Sequence, residues 1–282
     1  MRRTVVGPTL LGILTLALSL ARVGDAPFDL YRDEAFHAVS AHTLATTGRD
    51  LRGRRLPLII APDEATATVE AGAPPVLVYA MAAIFTVLPV SEATTRLPTL
   101  ILGVADVLLV YAIGRLLFDR VLLAELAAAL VALTPAHFLF SRLALTAQVP
   151  VPFVLGWLLC ILLYLRRGDA WLLWLAGALL ALACAAYFAI MVLVPVYTLL
   201  TAGVMHRRRA PVRHYLTFAA GVIVPMLVCV PWLLWDSPEL QRIVTHYEWR
   251  DPRRGSAIVD AASTYWTFFG PRFLFVDGAP RI

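Results

Sequence analysis

The stretch LPTLILGVADVLLVYAIG, residues 97–114, decides the fold class of this chain, because it is predominantly apolar and its single charged residue is Asp106. A helix of about 20 predominantly apolar residues crosses a bilayer core of about 30 Å, so the stretch predicts a membrane-spanning helix. The whole chain of 282 residues is 60% hydrophobic and 15% charged, whereas a soluble domain is about 45–50% apolar and about 25% charged. The sequence therefore predicts an all-α, polytopic transmembrane bundle.

Similar apolar runs recur along the chain and predict about seven spanning helices in a single transmembrane domain over residues 1–282. One run, 171–205, is too long for a single span and has a polar, aromatic break near 184–187, so we interpret it as two helices in a tight hairpin. The seven predicted spans cover residues 4–21, 97–114, 121–140, 148–165, 171–186, 188–205 and 215–235.

Clusters of arginine predict the orientation of these helices, because loops rich in Lys and Arg tend to remain on the cytoplasmic side. The clusters lie at 1–3, 115–120, 166–167 and 206–214. A cytoplasmic N-terminus in the plasma (inner) membrane follows. Two segments are then predicted outside, a long loop at 22–95 and a second, incomplete segment at 236–282. The net charge of +5 lies mostly in short loops and does not indicate nucleic-acid binding.

The apolar run at 76–90 does not fit this alternation, because both of its ends fall on the outer side. It is short and is bracketed by Pro74–Pro75 and Pro89. We therefore predict a helix that lies in or against the outer interface and does not span. The alternative is a short true span, which would require that one arginine cluster is misassigned.

The stretch YRDEAFHAVSAHTLATTGRD, residues 31–50, predicts a second helix of the long outer loop. Asp33 is expected to cap its N-terminus, Glu34 to add negative charge to the first turn, and Gly48 to end the helix. His37 follows Asp33 by one turn on the same face. Capping alone explains the acids; a carboxylate beside an imidazole also suits general-base chemistry, and near a membrane surface ionisable groups are often functional.

The basic segment that follows, GRDLRGRRLPLII at 48–60, allows two interpretations. Its arginines form a face that is solvated or lies against lipid headgroups, or they recognise phosphate through their guanidinium groups. Residues alone do not decide between the two.

The order of these features resembles a known family. TGRDLRGRRLPL, APPVLVYAMAAIFTVLPVSEATTRLPTLILG, YAIGRLLFDR and SRLAL follow the outer-loop helix in that order. Together they resemble the GT-C type glycosyltransferases that use dolichyl- or polyprenyl-phosphate sugars, including the protein O-mannosyltransferases and the lipid A aminoarabinose transferase. The resemblance covers essentially the whole chain.

The resemblance implies an inverting sugar transfer on the outer face of the membrane, from a polyprenyl-phosphate-linked sugar to a glycan, lipid or protein acceptor. Asp33 then corresponds to the carboxylate that activates or positions the acceptor, with Glu34 as its catalytic neighbour. His37, on the same helix face as Asp33, is a candidate substrate-binding residue. Glu70, before Pro74, is the nearest match to a further acid of the family's first loop. Membrane lipids surround the predicted site.

One departure concerns the loop SRLALTAQVPVP, residues 141–152, where relatives usually carry an Asp or Glu after Ser-Arg. Here the loop contains no acid. A divalent metal prefers carboxylate oxygens, so the departure argues against metal dependence without excluding it, and no other cofactor is expected. Arg96 and Arg142, at predicted outer ends of helices, are expected to steady the phosphate or to act as interfacial anchors.

The chain is shorter than the family pattern and stops in an outer loop, so we interpret it as a C-terminally truncated member or fragment. A membrane transporter is the alternative function, with Asp106 as its intramembrane acid. A relative that binds a lipid phosphate without catalysis is the third possibility.

Overall fold

The computed structural model describes residues 3–24, 29–60 and 72–228. In these ranges the regular elements are helices, accompanied by isolated β-bridges between Arg49 and Arg55 and between Ile60 and Ala73. The predicted all-α class is thereby confirmed. Glu70, the end of the last predicted span after residue 228 and the segment 236–282 lie outside the described residues.

Ten α-helices make up the described part of the chain. They are α1 (Arg3–Leu20), α2 (Arg32–Thr47), α3 (Pro75–Phe85), α4 (Glu92–Phe118), α5 (Val121–Leu133), α6 (Pro135–Ser141), α7 (Val151–Arg167), α8 (Trp171–Ala186), α9 (Val194–Arg207) and α10 (Val212–Leu227). Short 3-10 helices at Thr146–Gln148 and Phe188–Val192 precede α7 and α9.

Two of the described helices are long and apolar enough to cross a membrane, namely Glu92–Phe118 and the continuous segment Thr146–Arg167. α5 and α6 reach that length only together and are bent by 63° at their junction. The bend follows from Pro135, because a residue that precedes proline avoids helical geometry; Thr134 is extended, with φ −68° and ψ 121°. With α3, α8 and α10 among the shorter apolar helices, seven spans stay a prediction.

The predicted break in the long apolar run is confirmed. α8 ends at Ala186, and Tyr187 is extended, with φ −159° and ψ 124°. The 3-10 turn of Phe188–Val192 then leads into α9. An uninterrupted helix over 171–205 would exceed the ~30 Å core of a bilayer, and the break divides the run into two shorter helices.

Helix α4 occupies the centre of the bundle, in contact with α1, α3, α5, α6 and α7, while α8 packs against α7 and α10. The α8–α10 contact brings the two backbones together: a Cβ at Gly221 would overlap the carbonyl of Trp174, and one at Gly177 would overlap that of Phe218. In lipid the hydrophobic effect does not drive helices together, so association depends on close packing. Small residues such as these glycines allow the two backbones to approach closely.

Helices α2 and α3 pack on each other beside one end of α4. Their shared core contains Leu44 of α2, with Leu77 and Met81 of α3, all fully or nearly fully buried. Ala144 and Val149, from the segment between α6 and α7, belong to the same core. Helices α2 and α3 and the acid-free loop, far apart in the sequence, are therefore in direct contact.

Candidate active site

The N-terminus of α2 is capped differently from the prediction. The N-cap residue is Tyr31, which is extended with φ −61° and ψ 153°, so Asp33 lies inside the first turn and the prediction that it caps the helix is wrong. Glu34 takes this role, because its Oε2 accepts from the backbone N–H of Tyr31 at 3.0 Å. The predicted end at Gly48 is confirmed, with φ 67° and a hydrogen bond to the Leu44 carbonyl.

Glu34 lies at the junction of three parts of the chain. Its side chain is fully buried, and Oε1 accepts from Arg96 Nε of α4 at 3.1 Å. The backbone N–H of Ala144 donates to the same oxygen at 2.8 Å. A buried carboxylate is tolerated only when it is paired and hydrogen-bonded, and Glu34 meets both conditions. The carboxylate therefore ties α2 to α4 and to the loop after α6.

Arg96 is also fully buried and binds the chain that leads from α1 to α2. Its Nη1 donates to the Val23 carbonyl at 2.9 Å and its Nη2 to that of Asp29 at 2.8 Å. A planar guanidinium presents several donors in fixed directions, which allows one side chain to bind Glu34 and both of these carbonyls. The donors of the predicted phosphate-steadying Arg96 thus point to acceptors within the protein.

Arg142 acts on the end of α1. Its Nη1 donates to the carbonyls of Leu18, Ser19 and Ala21 at 3.2, 3.1 and 2.7 Å, and its Nη2 donates to that of Arg22 at 3.1 Å. The last carbonyls of a helix have no partners within the helix, and Arg142 supplies them. Its guanidinium also lies over the ring of Phe138, 5.1 Å from the centroid. These contacts make Arg142 a C-cap for a helix more than a hundred residues away.

His37 binds the backbone carbonyl of Ala144, the residue whose N–H donates to Glu34. The ring is buried, with Nδ1 2.9 Å from the Ala144 carbonyl. A carbonyl can only accept, so Nδ1 carries the proton in this hydrogen bond. Burial lowers the pKa of His37, although the Ala144 carbonyl and the charges of Asp33 and Glu34 act in the opposite direction. His37 is therefore neutral at pH 7, with Nε2 as an acceptor.

The Asp33 carboxylate differs from that of Glu34. Its residue is half-buried, and no hydrogen bond or ion pair joins its side chain to another residue of the described ranges. Two carboxylates that are adjacent in sequence therefore have opposite environments: Glu34 is saturated with donors, whereas Asp33 keeps its lone pairs available. Such a carboxylate can accept a proton from a hydroxyl group that approaches it.

The loop 141–150 contains no acid, yet the fold supplies a second carboxylate to it. Gln148 Nε2 donates to Oδ2 of Asp106, in the middle of α4, at 2.6 Å. His137 Nε2 lies 3.5 Å from the same oxygen, and Asp106 itself is buried. Glu34 and Asp106 thus contact the loop from two sides. The sequence signals of this contact were Asp106 and the polar Gln148, each between apolar residues, and neither identified the other as its partner.

The structure brings most of the predicted site residues that it describes into one cluster. Asp33, Glu34, His37 and Arg96 form one cluster, and Arg142 lies beside it through the same loop. Ala144, which binds both Glu34 and His37 through its backbone, could not be predicted because a backbone contact leaves no trace in residue type. Within the described ranges no three His, Cys, Asp or Glu side chains lie close enough to hold a metal ion.

The stability of the folded protein is expected to depend on pH through His37, which binds the Ala144 carbonyl. Because the pKa of His37 is lowered from 6.5 in the folded state, the unfolded chain takes up a proton more readily. The stability contributed by neutral His37 is therefore complete above pH 6.5 and declines as the pH falls toward the lowered pKa. Thermal unfolding between pH 5 and 8 measures this decline, which His37→Gln should reduce. An equal decline in His37→Gln and in the exposed control His42→Gln would contradict the assignment.

Fold and site together define a class: an all-helical membrane protein whose long loop joins the bundle through a buried ion pair and presents a half-buried carboxylate beside it. The family model described as dolichyl-phosphate-mannose-protein mannosyltransferase matches residues 72–235. This is more than half of the chain, and the chain belongs to that family. No curated protein matches the chain.

Membership confirms the resemblance to GT-C type glycosyltransferases and makes the chain a membrane glycosyltransferase that uses a lipid-linked sugar donor. The matched range contains α3 to α10, with Arg96, Asp106 and Arg142. It begins after Asp33, Glu34 and His37, so the roles of these three residues depend on their geometry.

Proposed function

We propose that this protein transfers a sugar from a polyprenyl-phosphate donor to a hydroxyl group of a glycan, lipid or protein acceptor, with inversion at the anomeric carbon. The acceptor oxygen attacks that carbon, and its proton passes to the Asp33 carboxylate. The bond from the anomeric carbon to the phosphate oxygen breaks, and polyprenyl phosphate leaves with the electron pair. The observation that carries this proposal is the contrast between Asp33, whose lone pairs are available, and Glu34, whose lone pairs are engaged.

In this proposal Glu34 is a positioning residue that holds Asp33 in place and does not itself take up a proton. Its carboxylate accepts from Arg96, Ala144 and Tyr31, which leaves it poorly placed to take a proton from an acceptor. The same contacts orient the first turn of α2 and hence Asp33. Neutral His37, held on the Ala144 carbonyl, adds no positive charge that would stabilise ionised Asp33 and weaken it as a base.

Arg96 and Arg142 support the donor phosphate through their charge. Both guanidinium groups donate to backbone carbonyls, and Arg96 also forms ion pairs with Glu34 and Glu92. A fixed positive charge in a region of low dielectric stabilises the negative charge that develops on a leaving phosphate. We assign them this electrostatic effect in addition to their structural contacts.

The proposed topology has seven spans, the N-terminus in the cytoplasm and the active site on the outer face of the plasma membrane, with α3 lying in the interface. The arginine clusters support this orientation. The exposed apolar residues Val87, Leu88 and Val90 after α3 suit an interfacial position. A topology reporter fused after Pro89 should be active only outside the cytoplasm; a cytoplasmic signal would overturn the orientation.

The function is tested by reconstitution of the full chain into liposomes that contain a radiolabelled polyprenyl-phosphate sugar. Deletion of the gene should, in parallel, cause lipid-linked sugars to accumulate, which mass spectrometry detects and which would identify the sugar. Formation of a glycosylated product by the wild type supports the proposal. Movement of the labelled lipid across the bilayer without product, abolished by Asp106→Asn, would instead favour the transporter function that the buried acid of α4 suggests.

A further inference from the structure

The segment 48–56 after α2 forms a small hairpin in which two arginines stand opposite each other. The N–H of Asp50 donates to the Arg54 carbonyl at 2.9 Å, and the N–H of Leu56 donates to that of Gly48 at 3.3 Å. These bonds flank the antiparallel bridge between Arg49 and Arg55. Arg49 and Arg55 are thus a non-hydrogen-bonded pair, the arrangement in which facing side chains are closest.

Asp50 stabilises the conformation of this hairpin through hydrogen bonds within the segment. Its carboxylate is buried, and Oδ1 accepts from the backbone N–H of Arg52 at 3.0 Å and of Arg54 at 2.8 Å. Oδ2 accepts from Arg54 Nε at 2.8 Å. Gly53 turns the chain with φ 78°. The single acid of the segment is therefore engaged with Arg54 and does not neutralise Arg49 or Arg55.

Two like charges directly opposite each other on neighbouring strands destabilise the pair. Both Arg49 and Arg55 are exposed, and among the described residues the Arg49 guanidinium donates to the Gly53 carbonyl at 2.7 Å. The repulsion would be relieved by an anion between the two guanidinium groups. Phosphate is an anion that such planar forks bind through paired N–H donors.

The residue next to the pair indicates the source of the phosphate. Leu56 is 61% exposed and adopts φ 44°, a strained value for a residue other than glycine. Pro57 then returns to the protein, where its carbonyl accepts from the Tyr79 hydroxyl of α3 at 2.9 Å. An exposed apolar side chain beside paired basic residues is the pattern of a segment that lies in a membrane interface.

We propose that Arg49 and Arg55 bind the headgroup phosphate of an anionic phospholipid in the leaflet on the α2 side of the bundle, with Leu56 among the upper acyl carbons. Asp50 and Gly53 present the two arginines, and the bound lipid anchors the outer loop to the membrane surface. This site is separate from the cluster of Asp33, Glu34 and Arg96.

The test measures binding of a fluorescent short-chain phosphatidylglycerol to the purified full chain in zwitterionic nanodiscs, without any sugar donor. Each arginine is expected to contribute about fivefold in affinity, so Arg49→Gln with Arg55→Gln should weaken binding by about twenty-five-fold. Arg49→Lys with Arg55→Lys keeps the charge without the fork and should lose less. Arg167→Gln removes one exposed arginine at the far end of α7 and should bind like the wild type.

The outcomes separate the possible occupants. Weaker phosphatidylglycerol binding in the Gln pair, unaffected by millimolar inorganic phosphate, supports the proposal. Equal binding by the wild type and the Gln pair would overturn it. Displacement of the lipid by inorganic phosphate would also overturn it, by making the hairpin a site for soluble phosphate. The binding assay measures no sugar transfer, so loss of the lipid-site proposal would not affect the proposed glycosyltransferase function. Likewise, an absence of sugar transfer would not affect the lipid-site proposal.

Discussion

Sugar transfer is expected to fall by about 10²- to 10⁴-fold when Asp33 is replaced by Asn, while the protein still inserts and folds. This range is the usual contribution of a general base. Asn keeps the shape of Asp and can still accept a hydrogen bond, but it cannot take up the proton of the acceptor hydroxyl. Because Asp33 is half-buried and its side chain forms no hydrogen bond or ion pair within the described ranges, its replacement should change stability by little. Initial rates in proteoliposomes measure the effect.

Two variants control this prediction. Asp33→Glu keeps a carboxylate and moves it by one methylene, so partial activity is expected. Glu34→Gln removes charge from the neighbouring carboxylate, and its main effect should be on stability. Asp33→Asn with wild-type activity in a folded protein would contradict the assignment of Asp33 as the base. The same residual activity in Asp33→Asn and Glu34→Gln, at equal loss of thermal stability, would indicate that both acids act through structure.

The second large effect is expected on stability. Arg96→Met should lower the free energy of unfolding by about 3–5 kcal/mol, because it leaves the Glu34 carboxylate buried without its ion pair. The Arg96 contacts to Val23 and Asp29 are lost as well, so the segment between α1 and α2 should become more accessible to protease. Thermal unfolding in detergent and limited proteolysis within residues 22–60 measure the two consequences.

A double variant distinguishes the ion pair from simple packing. Glu34→Leu with Arg96→Met removes both charges, so it should be more stable than the sum of the single variants implies. Arg167→Met is the matched control, since it deletes an exposed arginine at the end of α7 and should change stability by about 0.5 kcal/mol at most. Additive losses in the double variant would contradict a direct coupling between Glu34 and Arg96.

Local sequence patterns predicted the elements of this fold well. The apolar runs marked α4, α7 and α8, and the aromatic break near 184–187 marked the end of α8, because hydrophobic length and turn chemistry act over a few neighbouring residues. Gly48 marked the end of α2 for the same reason: glycine adopts φ 67° without strain. Pro135 is equally local in its effect, although the sharp bend between α5 and α6 was not predicted.

The partners of the site residues required the tertiary structure. Glu34 and Arg96 are 62 positions apart, and Glu34 and the Ala144 backbone are 110 positions apart. No local pattern assigns one buried acid to one buried arginine, since any of several arginines in the chain would satisfy the same charge. The wrong prediction for Asp33 has this origin too. Glu34, turned inward toward Arg96, caps α2, and Asp33 is left with its carboxylate available.

The amino-acid sequence by itself determined that this protein is a helical membrane protein, because the free energy of transferring apolar runs into a bilayer depends on composition and length alone. The tertiary structure decided which carboxylate is available for chemistry. Burial and hydrogen bonding, which govern whether a carboxylate can act as a base, arise only where α2, α4 and the loop after α6 meet around Glu34, and two adjacent acids thereby acquire different environments.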